Sequence, residues 1–445
     1  MKQIKADERL AFHDSWDRWR VTLAVLTLFA VLIVGDGVAR GQLCTGDCDA
    51  GGAVTVDEIL RGVNIALGTT ALIECDSFDH DGDEMVTVDE ILTAVNAALE
   101  GCLSPQTQAF VVVTNFTTGS FATISLDEPR EVVPGSSKRD IHGDSVARWF
   151  NDRVYVVNRF QADTIQWIRP TDDFATEMRC LTGELTNPHD IAFVDADKAY
   201  VSLFDRPQIL IVDPTPGPRC EGFVRGAIDI SAYADADGLP ESDLMRIVGR
   251  RLYVTLEKLD RDNFFVPSGP GSVLVVDVDS DTVVKEIPLT SGNPFSQSPG
   301  IVLDGNSLVI SETNEFGRND GGLERIDLSD ETARGFFVTE ATLGGDLTDF
   351  VLVDEHLGYA VISVSLEEIT SELVRFDPTT GEKLGTVIRG GNYADIELND
   401  RGELWVADST SGAGGIRVFR ARDGVELTLQ PISVGLPPFF ILFLP

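Results

Sequence analysis

Beyond Gln106 the apolar positions fall in short runs that alternate with polar ones, with no recurrence at three and four residues. Short runs of this kind belong to strands. The runs centre on Phe110-Val111-Val112-Val113, Val154-Tyr155-Val156-Val157, Ala199-Tyr200-Val201-Ser202, Leu252-Tyr253-Val254-Thr255, Leu308-Val309-Ile310-Ser311, Gly358-Tyr359-Ala360-Val361 and Leu404-Trp405-Val406-Ala407. Successive starts lie 44, 45, 53, 56, 50 and 46 residues apart, a length that four antiparallel strands and their turns fill. The rhythm predicts a mainly β fold over residues 107–445, a β-propeller of seven blades.

A second recurrence sets the register. Asp190, Asp243, Asp349 and Asp395 precede Tyr200, Tyr253, Tyr359 and Trp405 by ten residues, and Asp144 precedes Tyr155 by eleven. If these aspartates open the innermost strands, they either form a partial carboxylate ring able to hold a cation at the channel mouth or accept hydrogen bonds from backbone N–H groups of the next blade. The second accounts equally well for the recurrence and is preferred. A later strand closes on Asp at Val212-Asp213, Val276-Asp277, Ile326-Asp327 and Phe376-Asp377. With phrases such as Asn187-Pro188-His189-Asp190-Ile191, this pattern resembles the YVTN and NHL groups of bacterial propellers. The resemblance implies fold and leaves activity open. The apolar run Phe439–Leu444 reads as a strand that closes the ring against Ala109–Val113, because an open ring would leave bare strand edges.

The helical period appears only before residue 103. Asp47–Leu67 repeats as Asp79–Leu99, and each copy ends in an amphipathic helix, with Ile59-Leu60, Val63-Asn64 and Ala66-Leu67 returning as Ile91-Leu92, Val95-Asn96 and Ala98-Leu99. The twelve residues before each helix carry oxygen donors at the EF-hand positions 1, 3, 5, 7, 9 and 12. In the first loop these are Asp47, Asp49, the Ala53 carbonyl, Thr55 and Glu58, with Gly51 in place of the fifth-position carboxylate. In the second they are Asp79, Asp81, Asp83, the Met85 carbonyl, Thr87 and Glu90, with Glu84 where glycine usually makes the turn. Calcium is the expected ion. Two such loops, each with one helix, resemble the dockerin modules of bacterial extracellular proteins over residues 44–102. This resemblance implies attachment to a larger assembly, although Glu58 and Glu90 follow the ordinary EF-hand pattern. The small domain is placed at residues 43–103.

Residues 1–42 read as an export segment: Lys2, Lys5, Arg9, Arg18 and Arg20 precede the apolar stretch Val21–Val34, followed by Ala39-Arg40-Gly41. A stretch of fourteen residues is short for a bilayer span, which needs about 20, so a cleaved signal is preferred to an anchor. The protein is expected outside the cytoplasm of a bacterium. There six cysteines favour disulfides: two bridges among Cys44, Cys48, Cys75 and Cys102, in an undetermined pairing, and one between Cys180 and Cys220.

Charge and chemistry narrow the function. Acidic residues number 72 against 35 basic ones, a net charge of −37, which leaves no basic surface for nucleic acid. Of five histidines, His13 lies in the export segment and His80 in a calcium loop, leaving His142, His189 and His356 for the large domain. No nucleophile elbow, phosphate loop or metalloprotease motif occurs. The leading expectation is a non-catalytic module that recognises an extracellular protein or glycan. Two alternatives stand: a channel-mouth hydrolase or lactonase using a metal on the carboxylate ring with His142 or His189 beside it, and a dockerin-borne part of a polysaccharide-degrading assembly.

Overall fold

The computed structural model describes residues 45–48, 54–79, 85–100, 105–297, 299–303 and 305–445. The chain divides into two compact units, Met1–Pro105 and Gln106–Pro445. The expected export segment lies outside the described residues. Among those described, no helix is long and apolar enough to cross a membrane.

The smaller unit is helical. Helix Val56–Ala66 and helix Val88–Glu100 are joined by two single-turn 3-10 segments, Leu72–Glu74 and Asp76–Phe78. Both helices begin with the same device. The Thr55 hydroxyl accepts the Glu58 N–H while a Glu58 carboxylate oxygen accepts the Thr55 N–H at 2.7 Å, and Thr87 and Glu90 repeat this exchange. The duplicated Thr-Val-Asp-Glu is thus a capping box, which satisfies backbone donors that the first helical turn leaves unpaired. Phe78 is fully buried at the centre. It packs so closely on Gly62 that a Cβ there would come within 2.3 Å of its ring.

Among the described residues, the larger unit is built of seven antiparallel blade sheets and one small hairpin. Blades two to seven follow chain order, beginning at Ser145–Phe150, Pro188–Asp195, Ser242–Val248, Ile301–Leu303, Asp346–Asp354 and Tyr393–Leu398, each the innermost of four strands. Each predicted run is the second strand of its blade, shielded on both faces by neighbours and therefore mostly apolar. The two longest predicted intervals absorb insertions: the turn Ser231–Tyr233 before blade four, and a small hairpin, Leu259–Asp260 with Val266–Pro267, inside it.

Blade one is completed from the other end of the chain. Strand Pro438–Leu444 pairs antiparallel with Gln108–Thr114, with Ile441 opposite Val111 and Leu444 opposite Gln108. Phe440, Ile441 and Leu444 are buried between blades. The C-terminal run is the innermost strand of blade one and closes the ring, as its unbroken hydrophobicity predicts.

Side chains bind blade to blade. Tyr155 and Trp167 of blade two donate to the Pro214 carbonyl of blade three, Tyr200 of blade three donates to Asp281 of blade four, and Tyr359 of blade six donates to the Ala421 carbonyl of blade seven. Cys180, on the outermost strand of blade two, is bonded to Cys220 of blade three. Cys48 is bonded to Cys75 in the smaller unit. Cys44 and Cys102 lie outside the described residues.

Candidate functional site

The two faces of the propeller differ in chemistry. Turns between first and second strands are polar: Asn151-Asp152, Ala196-Asp197, Gly249-Arg250, Gly305-Asn306 and Glu355-His356. Connections between second and third strands emerge on the other face and carry exposed apolar side chains in blade after blade. These are Phe116, Phe160, Phe264 with Phe265, Phe316, and Leu366 with Ile369. Phe116, Phe264, Phe265 and Ile369 hold positive φ angles between 49° and 62°, a region costly for side chains with a Cβ. Apolar residues kept exposed on strained turns make this face the candidate functional surface.

On that face a pocket of about 530 Å³ opens at the channel mouth, between blades five, six, seven and one. Its aromatic wall holds Phe116 edge-on to Phe439, with centroids 5.4 Å apart, and Phe295 edge-on to Phe316 at 5.7 Å. Tyr393 adds a further ring, its hydroxyl pushed up to about 12 by burial. Between the rings stand hydroxyl groups, including Thr348 and Ser363, and the amides of Asn115, Gln297 and Asn392. Among the described residues, no Asp, Glu, His, Lys or Arg lines this pocket.

The five aspartates singled out from the sequence do not form a ring around the mouth. Asp190, Asp349 and Asp395 are fully buried and face the adjoining blade. Asp190 accepts the Met245 N–H at 2.9 Å, Asp349 the Ile396 N–H at 2.8 Å, and Asp395 the Ile441 N–H at 2.7 Å. Burial raises all three, and for Asp190 it outweighs the Arg148 guanidinium 2.9 Å away. Asp349 rises to about 6, and Asp395 is raised well above the usual carboxylate range by its burial and by the Asp349 carboxyl beside it.

Asp243 and Asp144 occupy other positions. The hairpin after the first strand of blade three contains a register shift at Lys198/Ala199, whereas in blade four Val248 pairs directly with Arg251. Tyr200 therefore lies opposite Ala192, but Tyr253 lies opposite Arg246. The same spacing of ten places Leu244, not Asp243, where Asp190 stands. In blade two Tyr155 lies opposite Arg148, so Val146 takes that place and Asp144 falls two residues earlier.

Displaced from the tie, these two carboxylates build a charged patch on the remaining side of the mouth. Asp144 receives Arg159 at 2.5 Å, and Arg159 also sits 5.8 Å from the centroid of Phe439. Asp243 lies 2.8 Å from Nδ1 of His189, whose ring stacks on Phe204 at 4.2 Å. Glu257 is buried beside Asp243 and is raised well above the usual carboxylate range by that burial and the adjacent negative charge. Glu241 is pushed up to about 7 by burial, against the pull of Arg261. His142 lies near Asp144, its Nδ1 accepting the Asp144 N–H, and His356 is exposed on the polar face.

Of the proposed calcium ligands, Asp49, Ala53, Asp81 and Asp83 lie outside the described residues. Asp47, Glu58 and Glu90 are buried, and Asp79 ends the second 3-10 turn. Thr55, Thr87 and the two glutamates form the capping boxes, and Met85 is exposed. One Glu58 oxygen also accepts the Cys48 N–H at 2.8 Å. Among the described residues no three His, Cys, Asp or Glu side chains converge as a cation site.

No protein-family model matches the chain, and no curated protein matches it in sequence. Solved structures do match in shape. A candidate 6-phosphogluconolactonase from Bacteroides uniformis superposes with a TM-score of 0.53 at 13% identity, covering 77% of this chain and 100% of the other. A second candidate 6-phosphogluconolactonase, from Bacteroides fragilis, gives 0.52 at 15% identity, over 76% and 98%. The dihydro-heme d1 dehydrogenase NirN is also similar, with a TM-score of 0.49 at 13% identity over 76% and 75%.

The shared feature is the fold. At these identities the likeness reaches no further than the seven-bladed propeller. The aromatic pocket had only a faint signal in the sequence: Phe116, Phe316 and Leu366 sit in turns otherwise rich in Asn, Gly, Asp and Ser.

Proposed function

We propose that this chain is an exported, non-catalytic recognition module whose propeller binds an extracellular protein or glycan in the pocket at the channel mouth. The observation that carries the reading is the pocket's composition: aromatic rings, hydroxyls and amides, with no carboxylate, imidazole, ammonium or guanidinium among its described lining side chains. Concave, mostly apolar surfaces with a few polar groups suit binding, whereas acid–base chemistry needs titratable groups within reach of the bound molecule. The test is retention of the protein on immobilised extracellular polymers. Retention of the wild type, lost when Phe116 and Phe316 are both replaced by alanine, supports the reading; equal retention of the two proteins contradicts it.

In the smaller unit the proposed role is calcium binding by the loops 47–58 and 79–90, with Glu58 and Glu90 as the bidentate ligands. Calorimetric titration with calcium tests this directly, uptake falling in the Glu58→Gln and Glu90→Gln double variant. The dockerin-like resemblance extends this to attachment in a larger assembly.

A second reading is supported by the pair His189–Asp243 with Glu257 beside it. A carboxylate-oriented imidazole can act as a general base, and two of the similar structures are candidate lactonases. Hydrolysis of δ-lactones, abolished by His189→Ala, favours this reading; turnover unchanged by that substitution, or none above background, counts against it.

A further inference from the structure

We infer that the mouth pocket takes an uncharged sugar ring, one unit of a neutral glycan; this deepens, and rests on, the reading of the mouth as a recognition site. Three features of the pocket converge on that ligand class. The first is its aromatic wall. Phe116, Phe439, Phe295 and Phe316 stand edge to face in two pairs, presenting apolar surface against which the C–H face of a pyranose can lie. Phe116 is 68% exposed, so that surface is open to a ligand rather than used up by packing.

The second feature is a set of uncommitted amides. The side chains of Gln297 and Asn392 bond no described protein group, although the Asn392 backbone N–H is held by Thr410. Asn115 spends its carbonyl oxygen on the N–H groups of Thr117 and Thr118 and keeps its NH2 group. A primary amide offers donors and an acceptor within one plane, and a sugar hydroxyl is itself both donor and acceptor. Such matched pairs select for hydroxyl-bearing ligands, because an apolar ligand of equal size would strip water from these amides without replacing its hydrogen bonds.

The third feature is charge. A uronic acid or an amino sugar would bring an ion into a pocket whose described lining holds no counter-charge, and an unpaired buried ion is costly. Arg159, behind Phe439, is already neutralised by Asp144. The net charge of −37 acts further against anionic polymers and anionic lipid surfaces. The volume of about 530 Å³ falls within the roughly 300–1,000 Å³ of small-ligand pockets.

The experiment is isothermal titration of the full chain with neutral hexasaccharides of glucose, mannose and xylose, each matched to a uronic acid oligomer of equal length. Binding by at least one neutral oligomer is expected, at least tenfold tighter than its charged match, and weakened about tenfold by either Phe116→Ala or Gln297→Ala. Equal affinity for the charged match, or neutral binding unmoved by both substitutions, overturns the inference. Absence of binding to every oligomer, while retention on extracellular polymers still depends on Phe116 and Phe316, also overturns it and leaves the recognition reading standing. Loss of both signals removes the recognition reading itself.

Discussion

Asp395 in blade seven accepts the backbone N–H of Ile441, on the closing strand, at 2.7 Å. The last blade thereby holds the strand that completes the first, and this buried carboxyl is one of the ties between the two ends of the ring, beside the ion pairs Arg130–Glu403 and Arg401–Asp127. Asp395→Ala leaves that buried N–H without a partner, which costs about 1–3 kcal/mol. Denaturant unfolding should show a loss of that size, with Asp395→Asn losing less because its amide oxygen can still accept the bond.

The same carboxyl makes stability depend on pH. Asp349 and Asp395 are both raised by burial and stand side by side, so folding favours their protonated forms. A raised acid stabilises the fold fully below its unfolded pKa and loses that contribution as pH climbs through the folded value. The melting temperature should therefore decline from about pH 4, near the ordinary Asp value, through the value of about 6 for Asp349. Glu241 and Glu340, raised by burial to about 7 and about 8, extend the fall upward. In Asp395→Asn one member of the pair no longer ionises, and the decline between pH 5 and pH 8 should be shallower than in the wild type.

The bond between Cys180 and Cys220 closes an interval of 40 residues across two blades. By chain entropy it contributes about 4 kcal/mol. A Cys180→Ala, Cys220→Ala protein should unfold at correspondingly lower denaturant, with its calcium titration unchanged, since both residues belong to the propeller unit.

Truncation before residue 436 removes the innermost strand of blade one and bares the edge of Gln108–Thr114. Exposed edges of this kind promote association. Scanning calorimetry should show a melting temperature many degrees lower, with aggregation on heating; a truncated protein that melts with the wild type would mean the closing strand adds nothing to the ring.

The sequence reveals what repeats and conceals what a single residue shifts. The seven second strands, their order and the closing run are legible because burial on both faces demands unbroken apolar stretches such as Val154–Val157 and Phe439–Leu444. The tie made by Asp190, Asp349 and Asp395 is legible too, as one of two meanings of a recurrent aspartate. Asp243 misleads, because a register shift in one hairpin and its absence in another change the meaning of an identical spacing. The duplicated Thr-Val-Asp-Glu has two readings at once, as the end of a calcium loop and as the capping box formed at Thr55 and Thr87. The mouth pocket could not be read in advance. Its walls come from blade one, the loop before blade five, and blades five, six and seven, and only ring closure brings Phe116, Phe316 and Tyr393 together.

In the proposed function, ligand is recognised at the aromatic mouth of the propeller. Amide hydrogen exchange of the full chain, with and without the extracellular polymer that retains it, tests this most directly. The account predicts slower exchange on binding in residues 114–118, 313–321, 365–371 and 392–394, with no change in the opposite-face turns at 151–152, 249–250 and 355–356. Protection confined to those opposite turns, or to the outer strands with the mouth unaltered, would contradict it.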